Sequence, residues 1–101
     1  VLFRSLKEAE QMFRRTTRLN PNNAAMLNNL ASLYIQTNRF AEAKTLLEQS
    51  AQLVPNNAVT MGTLAAVYYQ LGSKADAVAM AKRTLVIDPR NGMAQQVLQA
   101  P

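Results

Sequence analysis

Neither cysteine nor histidine occurs among the 101 residues, and tryptophan is absent as well. Without thiols the chain forms no disulfide and offers no thiolate to a metal or a substrate, so its composition carries no mark of a redox compartment. Without imidazole it lacks the commonest general base and the commonest zinc ligand. An enzyme is therefore not expected, and neither a metal nor a cofactor is expected. Glycine is scarce at three residues, and no Gly-rich phosphate loop, catalytic serine motif or metal-ligand spacing appears. No apolar run approaches the roughly 18 to 20 residues that a membrane span requires, which leads us to expect a soluble protein of the cytoplasm or the periplasm. Acidic residues are few, 6 against 11 basic, for a net charge of +5. Charged residues nevertheless make up only 17% of the chain and never form a block, so a nucleic-acid partner is not expected.

What the chain does have is a period. Prolines stand at Pro21, Pro55 and Pro89, at two successive intervals of 34 residues, and their surroundings repeat with them. Leu19-Asn20-Pro21-Asn22-Asn23 returns as Leu53-Val54-Pro55-Asn56-Asn57 and as Ile87-Asp88-Pro89-Arg90-Asn91. A fixed interval of this length marks a solenoid, an architecture that builds gripping surfaces rather than enclosed cavities.

Between the prolines, apolar residues recur at three and four. Leu6, Ala9, Met12, Phe13, Thr16 and Leu19 form one stripe, with Glu8 and Glu10 expected in the first turns of its helix and Arg14, Arg15 and Arg18 in the last, as the helix dipole favours. Leu27, Leu30, Ala31, Leu33 and Tyr34 form the next, with Asn23 placed to cap its start and Asn38 placed to end it in the left-handed conformation. Phe40, Ala43, Leu46, Leu47, Ser50 and Leu53 follow. The pattern then restarts with Met61, Leu64, Ala65, Val67 and Tyr68, Gly72 standing in the place of Asn38, and continues with Ala77, Met80, Ala81, Thr84, Leu85 and Ile87. A short amphipathic fragment, Met93 to Ala100, closes the series. The spacing predicts six helices of about 14 residues, the last one shorter, and no strand.

These residues resemble the tetratricopeptide repeat. Its first helix carries a large residue, Leu, a small residue and Tyr, matched by Leu27, Leu30, Ala31, Tyr34 and again by Met61, Leu64, Ala65, Tyr68. Its second helix carries Ala, a large residue, a small residue and Pro, matched by Ala43, Leu47, Ser50, Pro55 and by Ala77, Ala81, Thr84, Pro89. Ala9, Phe13, Thr16 and Pro21 match a second helix alone. The resemblance implies an all-α, right-handed α-solenoid, divided into a half repeat at 6–23, full repeats at 24–57 and 58–91, and a partial helix at 92–101. Residues 1–5, Val1-Leu2-Phe3-Arg4-Ser5, spell the in-frame translation of a common sequencing adapter and are read as a non-native scar, without which the net charge is +4. The family's large residue shrinks to Ala81 in the last full repeat, so looser packing is expected there unless Met61, Met80 or a neighbouring repeat fills the space.

The resemblance also implies a non-catalytic protein-protein interaction module whose first helices line a concave groove for a peptide or protein segment. Carried over, the groove residues are Ala25, Asn28, Asn29, Ser32 and Gln36, then Val59, Thr63, Ala66, Tyr69 and Gln70, none of them charged. Family members that clamp a terminal carboxylate place Lys, Asn and Arg along this face. Here only Asn29 matches, and Val59 and Thr63 stand where basic residues belong. Asn29 either holds a ligand's backbone amide through its own amide, or merely faces solvent or binds the neighbouring helix. Arg14, Arg15 and Arg18 with Lys82 and Arg83 read as solvated outer faces. Met12, Met61 and Met80 are expected as core filler. The alternative role is a self-associating scaffold, a homo-oligomer joined through apolar faces left open at the solenoid ends.

Overall fold

The computed structural model describes the backbone of residues 2–101 and the side chains from Leu6 onward; side-chain detail of the expected scar thus lies outside the described residues. Six α-helices follow in order: α1 (Leu2–Leu19), α2 (Ala24–Gln36), α3 (Phe40–Leu53), α4 (Ala58–Gln70), α5 (Lys74–Ile87) and α6 (Gly92–Gln99). No strand occurs among the described residues. Each helix packs on the next, and α4 packs on α6 as well, giving a ladder of antiparallel hairpins 35 × 28 × 21 Å in extent.

Turn chemistry repeats with the same period. Asn23, Asn57 and Asn91 are the N-caps of α2, α4 and α6, and the side-chain oxygen of each accepts a backbone N–H from the first turn: Met26 at 3.2 Å, Val59 at 3.0 Å and Ala94 at 3.0 Å. The hairpin turns close through the Arg39 N–H on the Tyr34 carbonyl and the Ser73 N–H on the Tyr68 carbonyl, at 2.7 and 2.9 Å. Both closures require a left-handed residue, supplied by Asn38 (φ 61°) and Gly72 (φ 84°) as expected. Asn56 (φ 64°) takes the same conformation in the proline-bearing turn, where no expectation had placed it.

The small residues sit where helices come closest. Ala31, Ala43, Ala65, Ala77 and Ala81 are fully buried. One apolar cluster joins Leu30, Ala31, Tyr34, Ala43, Leu47, Leu64 and Val67, with Phe13 packed against it; a second joins Ala65, Ala77, Ala81, Ala94 and Val97. The expected slack around Ala81 is taken up by α6, which brings in Ala94 and Val97, and by Met80 and Leu85.

Three expectations are corrected. Met12 is 69% exposed and not core filler: among the described residues the close helix packing of α1 is with α2, and Met12 lies on a flank outside that contact. Leu19, Leu53 and Ile87, the last members of their stripes, are also exposed, since each lies on the final turn before a proline-bearing loop, beyond the reach of the next helix. Helix α1 begins at Leu2, so its first turn contains no acidic residue, and Glu8 and Glu10 lie further along.

Candidate functional site

Helices α2 and α4 each turn one face to the core and one away from it. On α2 the buried face is Leu27, Leu30, Ala31, Leu33 and Tyr34. Ala25, Asn29, Ser32 and Gln36, spaced at four, three and four, form the opposite stripe, and all four are exposed. The stripe repeats 34 residues on as Val59, Thr63, Ala66 and Gln70. Val59 is 70% exposed and Gln70 is exposed, whereas Thr63 and Ala66 are half-buried. No ionisable side chain interrupts either stripe.

Four residues of the expected groove are already engaged within the chain. The Asn28 amide Nδ2 donates to Thr60 Oγ1 at 3.1 Å, tying α2 to α4, while its Oδ1 is buried without a partner. Thr63 Oγ1 donates to the Val59 carbonyl at 2.8 Å. Ala66 and Tyr69 pack against the cluster built around Ala94 and Val97, and the Tyr69 hydroxyl donates to the Pro101 main-chain oxygen at 3.1 Å. The open members are Ala25, Asn29, Ser32, Gln36, Val59 and Gln70.

The spacing between these helices differs along the array because one repeat position is occupied differently. Gly62 and Asn28 are equivalents, 34 residues apart. A Cβ at Gly62 would lie 2.9 Å from Cγ and Nδ2 of Asn91, whose side chain sits flat against the α4 backbone and donates to the Ala58 carbonyl at 3.1 Å. The missing side chain thus lets α6 close on α4. Asn28 fills the corresponding space on α2 with its own amide, and α2 approaches α4 less closely, bridged through Thr60.

Two polar networks cross between repeats. Arg39 donates Nε and Nη2 to the two Glu42 oxygens at 2.8 and 2.7 Å and Nη1 to Glu10 at 2.7 Å, with its guanidinium 4.2 Å from the centre of the Tyr34 ring. Hydrogen bonding to Arg39 holds the Glu42 carboxyl below its ordinary range. Arg14 also reaches Glu10, at 3.3 Å. Further along, the Tyr68 hydroxyl donates to Glu48 at 2.7 Å; burial first, and then that carboxylate, push its pKa up to about 12. The i,i+3 spacing of Arg39 and Glu42 was visible in the sequence, but nothing local signalled Glu10, 29 residues before Arg39. Beside these groups a cleft of about 670 Å³ opens between α1 and the end of α2, lined by Lys7, Glu10, Arg14, Gln36 and Arg39 among others. Two of its three cations are bound to carboxylates.

Among the described residues no group of three or more acidic side chains could hold a metal ion, and no helix is long and apolar enough to cross a membrane.

A family model described as tetratricopeptide repeat matches residues 22–90. No curated protein matches the chain. Similar solved structures include the first tetratricopeptide domain of Spaghetti (RPAP3) bound to the HSP90 peptide SRMEEVD, with a TM-score of 0.87 and 22% identity over 94% of this chain and 75% of that one. The Arabidopsis OM64 tetratricopeptide domain aligns with a TM-score of 0.86 and 19% identity, over 95% and 79% of the two chains. The second such domain of human RPAP3, in complex with the HSP70 peptide SGPTIEEVD, gives 0.84 and 20%, over 93% and 78%. At these identities the likeness is one of fold.

Proposed function

Since the chain belongs to the tetratricopeptide repeat family, whose repeat is matched across residues 22–90, we propose that it is a non-catalytic adaptor binding an uncharged peptide segment across α2 and α4. The observation that carries this reading is the pair of outward stripes in register, Ala25-Asn29-Ser32-Gln36 and Val59-Thr63-Ala66-Gln70, both free of charge. Asn29 and Gln36 offer amide donors and acceptors suited to a peptide backbone, and Val59 offers apolar contact. Their exposure means that a ligand finds them without disturbing the core.

The two neighbours with bound peptides hold sequences ending in Glu-Glu-Val-Asp. Such an end carries several carboxylates and calls for cations. Here the stripes supply none, and of the cations in the cleft beside Gln36, Arg14 and Arg39 already pair with Glu10 and Glu42, which leaves Lys7. A ligand of different chemistry is therefore proposed.

Selection from a displayed random-peptide library, followed by NMR titration of the labelled protein, tests this. Selected peptides should be poor in acidic residues and shift the amides of Asn29, Ser32, Gln36 and Val59. Asn29→Ala should weaken them about tenfold, or about 1.4 kcal/mol, with unchanged Tm. Shifts confined to the outer faces of α3 and α5, or saturable binding of SRMEEVD with micromolar Kd, would overturn the reading.

A second reading rests on α1, where Met12 and Leu19 stand 69% and 73% exposed. That flank could seat another copy of the chain. Helix α6 offers less: its exposed Met93 and Leu98, at 39% and 37%, are interspersed with Gln95, Gln96 and Gln99. Sedimentation velocity should then show a concentration-dependent dimer that Met12→Lys abolishes. A constant monomer removes this reading.

A further inference from the structure

The net charge of +5 is not spread evenly over the fold. Because the hairpins are antiparallel, the C-terminal ends of α1, α3 and α5, the proline-bearing loops and the N-terminal ends of α2, α4 and α6 share one edge of the ladder. The three equivalent stretches that build this edge, 15–23, 49–57 and 83–91, hold Arg15, Arg18, Arg83 and Arg90 against the single carboxylate of Asp88. Their net charge is +3, whereas all the rest of the chain, with seven cations and five carboxylates, carries +2.

All four arginines are exposed, and none forms an ion pair among the described residues. Asp88 is engaged in its loop, where Oδ1 accepts the Arg90 backbone N–H at 3.1 Å. The helix dipole accounts for Arg15 and Arg18 at the end of α1, but Arg90 directly precedes the N-cap of α6, where a dipole disfavours a cation. The same edge exposes aliphatic side chains: Leu19, Leu53 and Ile87, one from each stretch, with Val54 and Val86 beside them. A cleft of about 620 Å³ indents it between the ends of α1 and α3, lined by Thr17, Arg18, Leu27, Gln49, Gln52 and Leu53 among others.

We infer that this proline-bearing edge is a docking surface for an acidic protein segment that carries aliphatic side chains. Unpaired guanidiniums bind carboxylates in a bidentate fork, and the aliphatic row beside them gains by leaving water. Arg18 and Leu53 line one cleft, so a ligand can seat an apolar side chain on Leu53 while a neighbouring carboxylate meets Arg18. A nucleic acid is a poorer match, because none of the three stretches holds an aromatic residue on which a base could stack. A bilayer is poorer too, since no Trp or Tyr stands here to anchor among headgroups. The inference does not depend on the stripes of α2 and α4.

The test is an NMR titration of the full chain with an acetylated, amidated dodecapeptide of Asp-Glu-Leu-Ser repeats. Two controls accompany it, one with Asn-Gln for every Asp-Glu and one with Ser for every Leu. The acidic aliphatic peptide should shift Thr17, Leu19, Gln52, Leu53, Val86 and Ile87 saturably, and should weaken as salt rises from about 50 to about 200 mM. Each control should bind about tenfold more weakly, and Arg18→Gln and Leu53→Ser should each lose about fivefold. Arg18→Gln should leave Tm unchanged, because its side chain is exposed and unpaired. Equal binding of the three peptides, full affinity in Arg18→Gln, shifts confined to Asn29, Gln36 and Val59, or no binding overturns the inference. Tighter binding of a mixed-sequence DNA oligonucleotide or of phosphatidylserine vesicles than of the peptide overturns it as well.

Discussion

Substituting Gly62 by alanine should destabilise the protein, although glycine is among the worst residues for a helix interior. On propensity alone Gly62→Ala within α4 is favourable by about 1 kcal/mol. The new Cβ, however, meets Asn91 at 2.9 Å from both Cγ and Nδ2, closer than carbon atoms pack, so the Asn91 side chain has to leave. Its departure removes the N-cap bond from the Ala94 N–H, for about 1 kcal/mol, and the bond to the Ala58 carbonyl, for about 1 kcal/mol more. The net loss is about 1 kcal/mol, or about 4 to 8 °C in Tm for a domain of this size. Asn91→Ala alone should lose about 2 kcal/mol for the same two bonds. In that background Gly62→Ala should reverse sign and stabilise by about 1 kcal/mol, a coupling of about 2 kcal/mol in the double-mutant cycle. Urea denaturation followed by circular dichroism reads all four proteins, and hydrogen exchange of the α6 amides locates the effect. A Gly62→Ala protein more stable than the parent would refute the account of how α6 is seated.

Ala77→Leu should overpack the fully buried cluster in which Ala77 and Ala81 of α5 meet Ala65 of α4 and lower stability by about 1 to 3 kcal/mol; an unchanged Tm would remove that contact from the core. The pKa of Tyr68, raised to about 12 in the fold from the ordinary 10, makes a stabilising contribution that is complete below pH 10 and declines as pH rises towards 12. Tyrosinate absorbance should therefore show a late step that Tyr68→Phe abolishes, and Glu48→Gln should lower it only in part, because burial is its larger cause. The Glu42 carboxyl is depressed by Arg39, so its contribution is present above pH 4.5 and fades as acid drives the pH down through the depressed value. Arg39→Gln should flatten the acid limb of the stability profile, which an unaltered limb would contradict.

Hairpin order, turn positions and caps were legible because they depend on residues close in sequence. A proline ends each second helix, an asparagine two residues later caps the next, and Asn38 or Gly72 turns the hairpin. The 34-residue interval then places Leu30 beside Leu64 in one cluster without any knowledge of coordinates. Periodicity says which residues share a face, however, and not whether that face meets a partner. Met12 and Leu46 are repeat equivalents, yet Leu46 packs against the core while Met12 is exposed. The expected groove residues divide in the same way: Asn29, Ser32, Gln36 and Val59 lie open, whereas Asn28 and Tyr69 are tied to partners 32 residues away that the repeat pattern does not single out. Arg39 escaped notice for the same reason, its carboxylate on α1 being 29 residues upstream.

The contrast between Asn28 and Gly62 bears directly on where a ligand can lie. A strict repeat would give identical seams between successive first helices, and an identical groove at each. Here the absent side chain at Gly62 lets α6 cover Ala66 and much of Tyr69, while the amide of Asn28 keeps α2 and α4 apart and leaves Asn29, Ser32 and Val59 uncovered. One seam is thereby spent on holding the array together and the other stays available. The charge distribution reinforces the division. Arg14 and Arg39, in the cleft beside Gln36, are bound to Glu10 and Glu42, and the stripes themselves present amide, hydroxyl and methyl groups to the proposed ligand. Affinity at such a surface comes from hydrogen-bond geometry and shape and should change little with ionic strength, whereas an acidic ligand steered by the net charge of +5 would be drawn to the basic outer faces and released by salt.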